Sequence, residues 1–417
     1  MLTRQIMNYR ELLKDKARAV QTAGIFMFSA ALPFSVTFIQ GGILLFMAAG
    51  LWRRWKESNI KTIPAELSGN PLAVPWAVYF AAGLLAALAG INPAKSIVAL
   101  NSDLLTFVSF AALCLFLEPE QRGLAVKVYL TSICVAAILG AGQSVYGLIN
   151  AQDIRAHATS HPVRLGEIMI IGLALALSRL SAPETLSPRV KKVLYATALI
   201  ILSTIILSQT RGAYLGAAFV FASLLIIRKP PKRVILAFVT AALILGAAIS
   251  SLNPEIHRKI SSIYGGVNSA VNSGVQAPDQ SVNTRLILWK TGFAMIKDRP
   301  VLGAGPSNVK RLFPAYCAKP YPEDTVWGSL HNIYIHQAAE RGLVGLGALF
   351  LLFGGMFVTA LRSFRARPSD LTLWALAVMP AWFVMNMTEI SFQHVHTSYA
   401  VFFALAVSIT VAKPKGY

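Results

Sequence analysis

Arg211 stands in Ser208-Gln-Thr-Arg-Gly212, a polar interruption of an apolar stretch that runs from about residue 193 to residue 227. A guanidinium at mid-bilayer costs roughly 2.5 to 3.5 kcal/mol on insertion scales, so an arginine in such a place belongs at a helix end or beside an anion. The densest group of reactive side chains follows later, in His331-Asn332-Ile-Tyr-Ile-His336-Gln337-Ala-Ala-Glu340-Arg341-Gly342, with Gly345 and Gly347 beyond it. Imidazole can serve near neutral pH as a base, a donor to phosphate or a metal ligand. At helical spacing His331, Ala338, Gly342 and Gly345 share a face, which predicts an imidazole heading a stripe of small residues. His336 and Glu340 make an i, i+4 pair elsewhere on that helix, with a structural role as the first reading.

Other candidates are more scattered. The segment Asp153-Ile-Arg-Ala-His-Ala-Thr-Ser-His-Pro-Val-Arg164 puts Arg155, His161 and Arg164 in one short loop, suited to acidic sugars, donor phosphates or lipid headgroups. Glu389, near the end of an apolar block, could orient a histidine or an arginine. His394-Val-His396 is a weak chelate at best, with no HExxH or Asp-x-Asp motif beside it, so no metal is expected. From Asn283, Leu286, Trp289, Phe293 and Ile296 recur at helical spacing, which predicts an amphipathic helix capped by Asn283 and stopped by Pro300, with Arg285 in its first turn. The turn that follows contains Gly303 and Gly305, but no strand precedes it, which argues against a dinucleotide fingerprint. Tyr316, Tyr321 and Trp327 could stack on sugar rings or anchor at a membrane interface.

These residues need a scaffold, and composition names its class. The 417 residues are 55% hydrophobic and 13% charged, with a mean hydropathy of +0.58. Apolar blocks of helix length, without strand-like alternation, predict an all-α polytopic membrane protein. We read about 12 transmembrane helices, near 20–34, 37–52, 73–91, 98–118, 125–149, 163–180, 192–208, 212–228, 233–251, 332–360, 371–388 and 394–412. The chain then divides into a nine-helix unit over 1–251, a hydrophilic loop domain over 252–330 and three closing helices over 331–417. Within the loop, residues 264–274 are small and polar enough for a mobile segment.

Orientation follows from loop charge. With the amino terminus cytoplasmic, the inner segments hold Arg4, Arg10, Lys14, Lys16, Arg18, Arg53, Arg54, Lys56, Arg189, Lys191, Arg228, Lys229, Arg362, Arg365 and Arg367. The short outer loops keep only Lys95, Arg155, Arg164 and Arg211. Both termini are then inside, and the large loop is outside. Much of the net charge of +20 is thereby explained by topology, which argues against nucleic acid as a partner. All seven histidines map to the outer side. The three cysteines show no CxxC or zinc spacing.

The order Ser208-Gln-Thr-Arg-Gly212, then Arg285 to Gly305 in a large outer loop, then His331-Asn332 with Gly342 and Gly347 resembles the lipopolysaccharide O-antigen ligase family, within the O-antigen ligase and polymerase superfamily. The resemblance spans the whole layout, with its specific motifs between about residues 208 and 347. It implies a fold like that of the C-type multi-span glycosyltransferases and a metal-independent enzyme of the bacterial inner membrane without cofactors. The implied donor is O-antigen on undecaprenyl diphosphate, and the implied acceptor is a sugar hydroxyl of lipid A core, met at the periplasmic face. On that reading His331 is the base and Arg211 and Arg285 bind the diphosphate. Arg155, His161, Arg164, Gln209, Asn332, His336 and Glu389 are secondary candidates. Two alternatives stay open: an O-antigen polymerase or protein glycosylating relative, and a transporter whose outer cations only attract an anionic substrate.

Overall fold

The apolar run broken at Pro33 folds back on itself in a hairpin of α1 (Lys16–Ala31) and α2 (Val36–Lys56). Small residues make the contact possible. A Cβ on Gly24 would lie 2.5 Å from the Phe46 nitrogen, and one on Gly42 would lie 2.5 Å from the Phe28 nitrogen, so the two backbones touch where only glycine fits. The chain continues through α3 (Ile63–Ser68), α4 (Ala73–Leu88), α5 (Pro93–Ala99), α6 (Asn101–Phe116), α7 (Pro119–Ile149), α8 (Pro162–Leu180), α9 (Pro188–Leu207) and α10 (Arg211–Arg228). Beyond it lie α11 (Gln280–Asp298), α12 (Val309–Tyr316), α13 (Ile333–Ala366), α14 (Asp370–Met385) and α15 (Val395–Ala412).

This computed structural model describes residues 15–150, 154–181, 186–229, 280–317 and 326–412, with a few isolated positions besides. The expected loop at 264–274, Tyr321 and His257 lie outside the described residues, as does all but a few positions of the expected span at 233–251. The described elements are all helical. Among the described residues six helices are long and apolar enough to cross a bilayer: α2, α5 with α6, α7, α9, α10 and α13. The chain is accordingly a multi-pass helical membrane protein. A seventh crossing is available if α3 and α4, which meet at an 80° bend, act as one span.

The centre is α8, whose residues from Leu165 to Ser178 are buried without interruption. A helix apolar on every side has no face to turn to water, so it becomes the post around which others pack. Trp374 of α14 donates its indole N–H to the Ile171 carbonyl of this post at 2.9 Å. Charged groups mark the two ends of the bundle. At one end Arg18 and Arg53 converge on Glu118, Arg179 pairs with Asp370 at 3.1 Å, and Arg367 donates to the Val411 carbonyl at 3.0 Å. At the other end lie the amino termini of α8, α10, α13 and α15.

Two expectations about local structure are corrected. Helix α11 begins at Gln280, so Asn283 lies inside it and is not its cap. Its packed face carries Leu288 and Met295, with the expected Trp289 and Ile296 partly buried against the same cluster, whereas Leu286 and Phe293 are 38% and 58% exposed. Contact with α13 selects that face: a Cβ on Gly292 would lie 2.5 Å from Ile335 Cγ2. The predicted small-residue stripe from His331 to Gly345 is also absent. His331 precedes α13, whose cap is Asn332, and the helix breaks at Gly342, where φ is 64° and ψ is −171°.

That break accommodates the turn at residues 299–306. Leu343 donates its N–H to the Pro300 carbonyl at 2.8 Å, and the Ala304 and Gly305 N–H groups donate to Ala339 and Glu340 at 3.0 and 2.8 Å. The polar groups exposed by breaking a membrane helix are thereby satisfied within the protein. A Cβ at residue 342 would lie 2.0 Å from the Val301 carbonyl oxygen. Beneath the break Arg341 pairs with Asp103 at 2.5 Å, its guanidinium 4.7 Å from the Tyr79 ring centre. Gly347, by contrast, has nothing within 4 Å of where a Cβ would stand. Gly342→Ala is therefore expected to destabilise the detergent-solubilised protein by about 2 kcal/mol or more, read as a fall in Tm. Gly347→Ala should leave Tm unchanged, and equal effects at the two positions would contradict this account.

Candidate functional site

The turn between α14 and α15 begins with Asn386, which is fully buried and folds the chain over itself. Its side chain accepts from the Phe392 N–H at 2.8 Å, and its carbonyl accepts from the Ile333 N–H at the start of α13 at 2.9 Å. Glu389 hangs inward from this turn, only 5% exposed. Its two oxygens are divided between two elements. Oε1 takes the Arg285 guanidinium of α11 at 3.1 Å, and Oε2 meets His331 Nδ1 at 2.7 Å. Arg285 also donates to the neighbouring Thr388 carbonyl at 3.3 Å.

Local geometry fixes His331. Its backbone is left-handed, at φ 47°, and its N–H donates to Ser329 Oγ at 3.1 Å. The Trp327 ring stands edge-on to the imidazole with centres 5.2 Å apart. Asn332 then caps α13, its side chain accepting from the Tyr334 and Ile335 N–H groups at 3.0 and 3.2 Å. A non-glycine residue in left-handed backbone persists only where its surroundings impose it, and such strain concentrates at functional sites.

Arg211 is the first residue of α10, and the contact of its neighbour places it. A Cβ on Gly212 would lie 2.5 Å from Thr388 Oγ1, so the start of α10 abuts the turn that carries Glu389. Gln209 adopts φ 52° in the turn before it. Arg155 holds that turn, donating to the Ser208 carbonyl at 2.9 and 2.7 Å and to the Gln209 carbonyl at 3.3 Å. His161 caps α8, its Nδ1 accepting from the Val163 N–H at 3.3 Å, and Arg164 is exposed in the first turn of the same helix. The sequence candidates Arg155, His161, Arg164, Gln209, Arg211, Arg285, His331, Asn332 and Glu389 thus gather at one end of the bundle. His336 does not join them: it is buried within α13, 3.5 Å from Glu340.

Electrostatics follow from this crowding. Burial works against the Glu389 carboxylate, but His331, Arg285 and His394 together outweigh it and hold its pKa below the ordinary value. Desolvation, with Arg155 and Arg164 close by, lowers the pKa of His161 and favours a neutral ring there. His394 is also desolvated, yet Glu167 more than compensates and its pKa is raised. Sequence reading had missed Glu167. Its signal was a carboxylate in the second turn of an otherwise apolar helix, which in a membrane protein marks a built site by default. The suspected chelate His394-Val-His396 is split, since His394 meets Glu167 at 2.9 Å while His396 Nδ1 donates to the Leu32 carbonyl at 2.8 Å.

Fold and site together define a multi-pass membrane protein with cations and imidazoles gathered around a buried carboxylate at one end of its bundle. Residues 196–350, which include Arg211, Arg285 and His331, match the family model described as O-Antigen ligase. That segment is thus similar to the O-antigen ligase and polymerase superfamily, and the match supports membership in it. It is also 28% identical over 198 residues to a protein of Haemophilus influenzae described as uncharacterized, an alignment covering 44% of this chain and 49% of that one. The chain thus spans about half the length of the curated relative it matches.

Because its folded pKa is depressed, Glu389 contributes stability that is fully present above its ordinary value near 4.5 and is lost as pH falls through the lower folded value. Glu389→Gln should cost about 2 kcal/mol at pH 7, with the deficit in Tm shrinking as the pH drops below the ordinary carboxylate range. A deficit that stays constant across that range would show that charge at Glu389 is not what stabilises the turn.

Proposed function

We propose that this chain is a glycosyltransferase that moves an O-antigen polysaccharide from undecaprenyl diphosphate to a sugar hydroxyl of lipid A core, at the periplasmic face of the inner membrane. The observation that carries this reading is the 2.7 Å contact between His331 Nδ1 and Glu389. With its proton on Nδ1 and donated to the carboxylate, the neutral ring keeps a lone pair on Nε2 for the acceptor hydroxyl. The carboxylate also stabilises the imidazolium that forms once the hydroxyl proton has moved.

Arg211 and Arg285 take the other half of the reaction. As the acceptor oxygen bonds to the anomeric carbon, the bond from that carbon to the diphosphate oxygen breaks, and its electron pair leaves with undecaprenyl diphosphate. Planar guanidinium groups remain charged at any working pH and fit phosphate oxygens in pairs of hydrogen bonds. Such a leaving group needs no protonation, so neither a general acid nor a metal ion is required by the chemistry. Attack opposite the diphosphate inverts the anomeric centre. The side of the membrane rests on loop charge: Arg18, Arg53, Arg179 and Arg367 hold the opposite end of the bundle, where the excess of basic residues favours the cytoplasm.

The test is transfer in vitro from a defined undecaprenyl-diphosphate glycan, with lipid A core, free glycan and protein offered as acceptors and chelator present. Lipid A core should be the acceptor used; use of free glycan alone would point to a polymerase. Arg211→Ala and Arg285→Ala should each lower the rate about 10²- to 10³-fold. His331→Ala should lower it about 10²- to 10⁴-fold with donor binding retained. Retained activity in Arg211→Ala, or donor binding lost in His331→Ala, would overturn the roles given to those residues.

A further inference from the structure

A second carboxylate and imidazole pair lies beside the first. Glu167 enters from α8 and is only 1% exposed. Its hydrogen bonds come from one short segment across the bundle, residues 391–397. Ser391 donates to Oε1, Thr397 donates to Oε2 at 3.0 Å, and His394 Nδ1 meets Oε2 at 2.9 Å. That segment continues the turn that carries Glu389, which lies two residues before Ser391. A carboxylate this deep in a helical core is costly unless a cation accompanies it. His394 is in direct contact with it at 2.9 Å, and against desolvation the carboxylate raises the pKa of that imidazole, which favours charge on the ring.

The arrangement repeats that of Glu389 and His331, with Nδ1 on the carboxylate and the Nε2 edge left for a ligand. The His394 side chain is 14% exposed. It feels the charges of Glu389 and Arg164. The helix behind it also touches the Arg211 turn, since a Cβ on Gly166 would lie 3.0 Å from Ser208 Oγ and 3.1 Å from Thr210 Cβ. Arg211, Arg285 and His394 therefore approach the Thr388 to Glu389 turn from α10, α11 and the start of α15. A diphosphate spreads its negative charge over two linked phosphates, and a third cationic donor on another side adds to the stabilisation that two guanidinium groups provide.

We infer that His394 is a third cationic ligand for the lipid diphosphate, and that Glu167 is a positioning residue that orients the His394 ring and keeps it charged. This rests on the proposed function for the identity of the ligand. It extends the site to a pair for which the transfer step itself has no use, since the base is His331.

The experiment measures binding of undecaprenyl diphosphate, without sugar or acceptor, to the purified full-length protein at pH 7. His394→Ala should weaken binding about tenfold, the scale of one charge-assisted hydrogen bond. His394→Gln, which keeps an N–H but no charge, should fall between that variant and wild type and guards against a folding defect. Glu167→Gln should also weaken binding, and Glu167→Gln with His394→Ala should be no weaker than His394→Ala alone. Additive losses would overturn the positioning role, because a carboxylate that merely holds the turn would act independently of the ring. Wild-type affinity in His394→Ala, alongside weakened binding in Arg211→Ala, would overturn this inference and leave the proposed function standing. Failure of the wild-type protein to bind the lipid would overturn both.

Discussion

A buried carboxylate must find positive charge or give up its own, and Glu389 meets that requirement with groups from two separate elements. Arg285 arrives from the helix before the long turn, and His331 arrives from the residue before α13. Neither is a neighbour of Glu389 in sequence, and neither would be drawn to this depth without it. The desolvation of one carboxylate is thus converted into the spacing between a guanidinium and an imidazole. Removing the charge would leave two cationic or polar groups facing each other with nothing between them.

The surrounding membrane helices explain why this chemistry sits at one end of the bundle. Irregular backbone is tolerated at membrane depth only where protein satisfies its polar groups. Such backbone is concentrated at helix termini and at Gly342, where the turn at residues 299–306 supplies the missing partners. Left-handed residues at Ala158, Gln209 and His331 mark the same end. Regular helices fill the interior with apolar contacts, and the reactive groups project from the strained turns between them.

Much of the frame was legible in the sequence because length and hydropathy act locally. The apolar blocks at 20–52, 163–180, 212–228 and 332–360 are helices, and the break at Pro33 is a turn. Of the residues singled out in order, Arg285 and His331 meet at Glu389, and the start of α10, which carries Arg211, abuts the same turn. What sequence periodicity missed depends on contacts between distant segments. The face of α11 was only half legible, Trp289 and Ile296 packing as expected and Leu286 and Phe293 not, because contact with Ile335 and Leu330 decides which side is buried. Gly342 was read as part of a smooth stripe, although its positive φ is imposed by a turn forty residues earlier in the chain. Glu167 escaped notice because its partners lie more than two hundred residues away, at Ser391, His394 and Thr397.

The insertion of the turn at residues 299–306 into the break of α13 also sets the register of part of the site. Through those backbone hydrogen bonds α11 and α13 form one block, so Arg285 and His331 are kept in register by the same joinery. Arg211 starts α10, which packs instead on α14 and the turn after it, where Gly212 abuts Thr388 with no room for even a methyl group between them. The reach of Arg211 is therefore set by the close seam between α10 and the turn after α14, and the register of Arg285 and His331 by a separate set of backbone hydrogen bonds.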